Sequence, residues 1–168
     1  MLRAFVPGDA PALVRWCDTL QISDMLLSMP YPYTGADAEH YLREMVLPGY
    51  ESGERFSMAV TLAGELIGGV GLNLAKEHAR AELGYWIAVQ HWGNGYASEA
   101  SAAMLRFGFE ELGLNKIFAS HFPRNPASGR VLEKIGMRRE GVLRRHIIKW
   151  GCPEDLVSYA ILREEFGR

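Results

Sequence analysis

The sequence predicts a mixed α/β fold of the α+β kind, a largely antiparallel sheet of about seven strands flanked by helices. Three observations carry that expectation. Short runs rich in β-branched and aromatic residues, such as ELGYWIAV at 82–89, recur along the chain between turn residues. Two helical patterns come before three consecutive strand patterns, and helices and strands alternate only afterwards. Finally, 168 residues with 48% hydrophobic content are enough for one full core and too few for two, with no repeat or low-complexity stretch between, so residues 1–168 read as one domain.

Leu2 to Val6 reads as a short strand, and Pro7-Gly8-Asp9 turns the chain so that Asp9 can cap a helix carrying Leu13, Trp16, Cys17 and Leu20 at helical spacing. Pro30 to Tyr33 is a break. Thr34 with Asp37 starts a second helix through Tyr41, Leu42, Met45 and Val46, which Pro48-Gly49 should end. Phe56 to Leu62 and Glu65 to Leu74 form a hairpin about Ala63-Gly64, although alanine is a weaker turn residue there than asparagine or aspartate. The strand of residues 82–89 extends that sheet. A helix from about Gly95 to Leu112 places Ala97, Ala100, Met104 and Phe107 on one side and stops at Gly113. Lys116 to His121 is a strand and Pro123 to Pro126 a break. Asn125 or a neighbour can start a helix with Val131, Leu132 and Ile135 inward, closed by Gly136, and Arg138 to Trp150 and Leu156 to Leu162 are the last strands.

A formal charge of −2 supplies no global basic field, so nucleic-acid binding would need a local patch. Arg138-Arg139 and Arg144-Arg145 are interrupted by Glu140, Gly141 and two apolar residues, the pattern of a solvated strand edge. Direct nucleic-acid binding is therefore not expected. Cys17 and Cys152 lie far apart with no second cysteine nearby, which suggests neither a disulfide framework nor a metal site and fits a reducing cytoplasm. The amino terminus meets proline and an acid before any secretory apolar stretch, and no apolar run is long enough to span a bilayer. A cytoplasmic protein with no membrane partner is the expectation.

The stretch QHWGNGYASEA at 90–100 puts two glycines one residue apart between a strand and a helix. A helix start offers free N–H groups and the positive end of the helix dipole, so Gly93, Asn94, Gly95, Tyr96, Ala97 and Ser98 can wrap a diphosphate with backbone, glycine being needed where a Cβ would block the approach. The same glycines can equally serve an awkward turn dihedral. Other phosphate motifs do not fit: no Gly-Lys-Ser or Gly-Lys-Thr is present, and a dinucleotide fingerprint would want a third glycine or alanine where Ser98 stands and an acid where Ser120 and His121 stand.

QHWGNGYA at 90–97, with Gln90, Gly93 and Gly95 in their places, resembles the acyl-CoA pyrophosphate loop of the GNAT N-acetyltransferase superfamily. YPYT at 31–34, AELGYW at 81–86 and NPASGRVLEKIGM at 125–137 resemble its ribosomal-protein alanine acetyltransferase branch, the RimJ/RimL type, and Glu140-Gly141 and Asp155 to Tyr159 stand in their usual order, so the likeness covers nearly the whole chain. The resemblance implies a fold whose central strands splay apart and direct acetyl transfer from acetyl-CoA to an amine. It places the pantetheine arm between those strands, against Ile87 and Val89, with Asn125 on its amides and Ser128 beside the thioester sulfur. It also implies a homodimer as one assembly open to the chain, since many members pair.

Direct attack on a thioester needs a neutral amine, a donor for the carbonyl oxygen and a proton for the departing thiolate. Glu82 is the candidate base, against the plainer reading of a strand-end acid; Ser128 is the candidate for positioning the sulfur or passing it a proton, against that of a helix-start hydroxyl. A backbone N–H on the strand through Val89 is expected to polarise the carbonyl. His121, Tyr33 and Tyr159 are candidates for the acceptor pocket, although a lone histidine and two tyrosines are also ordinary core material, and Trp86 and Trp92 read as packing groups. An α-amine, with a pKa of about 7.7–8.0, asks less of a single carboxylate base than a lysine near 10.4. The resemblance thus points to a protein amino terminus as acceptor, with small amines, amino acids or antibiotics as the alternative. A non-catalytic acyl-CoA sensor is a third reading.

Overall fold

The computed structural model describes residues 1–167. Seven strands form one sheet in the order β1-β2-β3-β4-β5-β7-β6, with β1 Leu2–Ala4, β2 Arg55–Leu62, β3 Glu65–Ala75, β4 Arg80–Ile87, β5 Lys116–His121, β6 Arg138–Lys149 and β7 Cys152–Leu162. Every pairing is antiparallel except β4 with β5. Helices α1 Ala10–Cys17, α3 Gly35–His40 and α4 Leu47–Ser52 pack on one face, with the short α2 Leu20–Ser23 between α1 and α3; α5 Tyr96–Arg106 and α6 Pro126–Lys134 pack on the other. Strand alternation divides the apolar residues between two cores. Val70, Leu72, Leu83 and Ile117 meet Met104, Phe109 and Leu132 on the α5/α6 side, while Ala59 and Leu66 meet Phe5, Leu13, Cys17 and Leu42 on the other.

Several boundaries differ from the sequence reading, each for a local reason. Asp9 precedes α1, but its carboxylate accepts from the Val6 N–H at 3.0 Å and pairs with Arg3 at 2.7 Å, so it caps the preceding Pro7–Asp9 turn instead of the helix. The first helix stops at Cys17, and Thr19 recaps the chain for α2 by accepting from the Ile22 N–H. Thr34 and Asp37 form the expected reciprocal cap of α3. Pro48-Gly49 does not end that helix. The turn Tyr41–Val46 widens to π geometry, and Pro48 then falls in the first turn of α4, where a missing N–H costs nothing. Ala63 and Gly64 both adopt left-handed backbone, the geometry of a two-residue hairpin turn.

The sheet has a break at its centre. β4 and β5 pair in parallel only at Arg80–Lys116, Ala81–Ile117 and Glu82–Phe118. Beyond Glu82 the strands part, while β4 stays paired to β3 as far as Ile87 and β5 to β7 as far as His121. The split therefore opens toward the carboxyl ends of β4 and β5.

Candidate active site at the split in the sheet

Backbone groups along a strand point alternately to its two sides. The Ala88 N–H still bonds to the Ile67 carbonyl across β3, so the N–H and C=O groups of Leu83, Tyr85 and Ile87 face the other way, into the split, where no strand meets them. A free strand edge inside a protein is a ready partner for an extended ligand. Trp92 closes one end of it: its indole N–H donates to the Ile87 carbonyl at 2.6 Å. Here the sequence reading needs correcting, since Val89 is not in the strand. Ala88 bends the chain, and Val89–His91 makes a single 3-10 turn with Gln90 exposed, so of the two expected pantetheine positions only Ile87 lies on the edge.

The glycine loop follows that turn. Gly93 and Gly95 have φ of +79° and +83°, a conformation that disfavours side chains, and a Cβ at either position would meet no atom of the chain within 4 Å. The space beyond these glycines is open. Asn94 stiffens the loop by donating its amide to the His91 and Trp92 carbonyls at 3.2 and 3.1 Å. Gly95 is the N-cap of α5 and offers no side-chain acceptor, so the first turn at Tyr96, Ala97 and Ser98 presents its N–H groups uncapped. A free strand edge ending at an uncapped helix start, over open space, fits an extended thioester with a diphosphate at its far end.

Glu82 occupies the fork of the split as the last β4 residue paired to β5. It is half-buried, on the face covered by α1–α4, in one row with Asn73 and Arg55 across β3 and β2. Burial raises the pKa of its carboxyl above the ordinary value, and the Arg55 guanidinium and the His146 imidazole pull it back in part. On the opposite face, Tyr85 Oη lies 2.8 Å from Ser128 Oγ and 3.1 Å from the Ser128 carbonyl, joining β4 to α6. Asn125 holds that helix start, its Oδ1 accepting from the Ser128 N–H at 3.2 Å. Burial pushes the Tyr85 hydroxyl up to about 12, against the Ser128 hydrogen bond, so the phenol stays protonated at neutral pH.

The structure thus brings Ile87, the glycine loop, Asn125, Ser128 and Glu82 around one split, and it sets Tyr33, His121 and Tyr159 apart from Glu82. Tyr33 is 5% exposed in the core beneath α1 and α3. His121 and Tyr159 share the α6 face of β5 and β7, their rings 5.6 Å apart, and the Tyr159 hydroxyl donates to Glu133 at 3.0 Å. All three are packed, because strand alternation and the turn into α3 direct them inward. Sequence reasoning missed Tyr85, although alternation with Leu83 and Ile87 was a signal that it faces α6. It took Trp92 for a packing group, where it is half-exposed and bonds to Ile87. Nothing in the sequence linked Arg55 or His146 to Glu82. Among the described residues no group of three His, Cys, Asp or Glu side chains is placed to hold a metal ion, and no helix is long and apolar enough to cross a membrane.

A sheet split in this way beside a glycine-walled helix start is the architecture of an acyl transferase. Residues 1–138 match the acetyltransferase (GNAT) domain, and the chain belongs to that family of N-acetyltransferases, whose members use acetyl-CoA. It is 46% identical over 100 residues to the uncharacterized N-acetyltransferase YoaA of Bacillus subtilis, a match spanning 59% of this chain and 56% of that protein. Over 169 aligned residues it is 30% identical to the uncharacterized N-acetyltransferase p20 of Bacillus licheniformis, covering 99% and 94% of the two. The spermidine N-acetyltransferase of Vibrio cholerae, solved with CoA and spermine, superposes with a TM-score of 0.85 at 25% identity over 100% of this chain and 98% of its own. The ribosomal-protein-S5-alanine acetyltransferase of Vibrio fischeri shares the fold, with a TM-score of 0.85 at 18% identity over 99% and 94%.

Proposed function

We propose that this chain transfers the acetyl group of acetyl-CoA to a primary amine, with the α-amine of a protein amino terminus as acceptor. The observation that carries the reading is the surroundings of Glu82: a half-buried carboxylate at the fork, beside the Arg55 guanidinium and the His146 imidazole. A base with a raised pKa is matched to an amine that is partly neutral at cell pH, as an α-amine is. The Arg55 guanidinium disfavours an acceptor that carries several positive charges.

When bound, acetyl-CoA supplies the acetyl group as a thioester open to attack by an amine. Ile87, Gln90, Gly93 to Ser98 and Asn125 are the residues assigned to hold it, the loop through backbone N–H groups at the positive end of α5. Glu82 takes a proton from the incoming ammonium, directly or through a water. An N–H on the free edge of β4 serves as donor for the carbonyl oxygen as it gains charge. Tyr85 and Ser128 hold two hydroxyl protons on the α6 side of the split, and the proton a leaving thiolate takes up is assigned to this pair.

A small amine is the competing acceptor, supported by the spermidine N-acetyltransferase neighbour. Isotope-labelled acetyl-CoA offered to a pool of peptides with free amino termini and to a pool of small amines separates the two. Label on peptide amino termini supports the reading; label on small amines alone replaces it. Bound acetyl-CoA with label on neither leaves an acyl-CoA sensor.

A further inference from the structure

The chain between α1 and α3 makes an excursion that the chemistry above does not use. Trp16 anchors α1 to the β3 side of the split, its indole N–H donating to the Leu66 carbonyl at 2.8 Å. At the other end of the excursion Tyr33 is buried in the same core, and its N–H returns to Asp18 Oδ1 at 3.0 Å, closing the base of the loop. Between these points the chain reaches the other half of the sheet. Asp24 receives the Arg124 guanidinium on both carboxylate oxygens at 3.0 and 3.2 Å, and Arg124 also pairs with Glu154 of β7 at 2.9 Å. Arg124 stands three positions beyond the end of β5, on the side toward which the split opens.

The firmest tie comes from Lys149, the last residue of β6. Only 4% exposed, its Nζ donates to the carbonyls of Ser23, Leu26 and Met29 at 2.8, 2.7 and 3.0 Å. An ammonium has three protons, and all three are spent on this one loop. Burying a lysine is costly unless each proton finds a partner, and the three carbonyls would in turn be left unpaired without it. Lys149 and Arg124 therefore fasten residues 20–29 to the β5–β7–β6 half, while both ends of the excursion belong to the β1–β4 half.

We infer that residues 20–29 are a strap fastened by Lys149 and Arg124 across the open end of the split, and that Lys149 is a positioning residue holding the wall against which the acceptor amine is aligned. The acceptor role rests on the reading that acetyl transfer takes place in the split; the strap itself does not. A segment bridging two half-sheets that share only three residue pairs, all between β4 and β5, sets the width of the opening between them. Lys149 touches no reacting group, and it acts through the strap.

The test is Lys149→Met, which keeps an unbranched chain one atom shorter and removes the charge and all three donors. Amide exchange at Ile22 to Met25, the hydrogen-bonded turns of the strap, should accelerate roughly tenfold or more, with the β2 and β3 amides unchanged. With an alanine-initiated peptide as acceptor, KM for the peptide should rise about tenfold while the Kd for CoA stays within about twofold. Lys149→Arg, which keeps charge and donors, should recover most of both. Unchanged exchange at Ile22 to Met25 overturns the strap, and so does acceleration spread through β2 and β3. Faster strap exchange with an unaltered peptide KM overturns the positioning role. Should the wild-type protein leave the peptide unlabelled, the α-amine reading fails and exchange still decides the strap. If Lys149→Met does not fold, Arg124→Gln frees Asp24 with Lys149 intact, and the same amides should accelerate to a smaller extent.

Discussion

The hydroxyls of Tyr85 and Ser128 lie 2.8 Å apart, and this contact joins the β4 side of the split to the start of α6. With the Ser128 carbonyl also accepting from Tyr85, the serine proton is directed onto the phenol oxygen, and the two groups form one unit. Tyr85→Phe and Ser128→Ala should therefore each lower the transfer rate by about 10- to 100-fold, the lower part of what positioned acid–base groups contribute. The double variant should lose little more than either single one, because groups acting as a unit are not additive. Single-turnover rates for the four proteins of this cycle make the comparison. Multiplicative losses would separate the two roles.

Glu82→Gln should reduce kcat/KM for the amine by about 100-fold or more. The wild-type rate should climb with pH along a limb that lies above the ordinary carboxylate range, since burial raises the Glu82 pKa. Stability moves the opposite way. The folded protein holds the Glu82 proton more tightly than the unfolded chain, so this group's stabilisation is complete below the unfolded pKa and is lost as pH rises through the folded one. Glu82→Gln should accordingly raise the melting temperature at neutral pH, with the difference disappearing in acid. Thermal scans of both proteins at a series of pH values report it.

Gly95→Ala places a side chain where φ is +83°, which costs on the order of 1–2 kcal/mol. Its methyl group points into open space, so no atom of the chain resists it. CoA affinity measured by calorimetric titration should fall by about tenfold, beyond what the modest loss in stability explains. An unchanged CoA affinity would detach the loop from the diphosphate.

Gly129 lies against His121, and a Cβ there would sit 2.9 Å from its Nε2 and 3.4 Å from Tyr159 Oη. Gly129→Ala should destabilise the protein by about 1–3 kcal/mol through overpacking. Adding His121→Ala makes room for the methyl group, so the double variant should fall short of the sum of the single losses. Urea denaturation of the four proteins measures that coupling. Additive losses would show that some other contact requires the glycine.

Periodicity located the strands and the two long helices, and residue type located the Thr34–Asp37 cap and narrowed the start of α6 to Asn125 or a neighbour, because these depend on residues a few positions apart. The glycine loop was legible for the same reason: a positive φ leaves a residue-type mark at its own position. Pro48-Gly49 was misread as a helix end since the widened turn Tyr41–Val46 just upstream absorbs the proline, a compensation that leaves no mark on the pair itself. Val89 was misread as strand because an apolar residue suits a strand and a half-buried turn equally.

Other features belong to the tertiary structure. The sequence determined which residue types stand beside the loop, and so the class of chemistry available. It left open that Tyr85 meets Ser128 across 43 positions, that Arg55 and His146 flank Glu82, and that Lys149 reaches Ser23 across 126. A lysine in an arginine-rich edge strand reads as solvated surface until another segment is laid over it. Hydrophobic pattern and capping are local quantities, whereas the pairing of a buried charge or hydroxyl depends on what the fold brings to it from far along the chain.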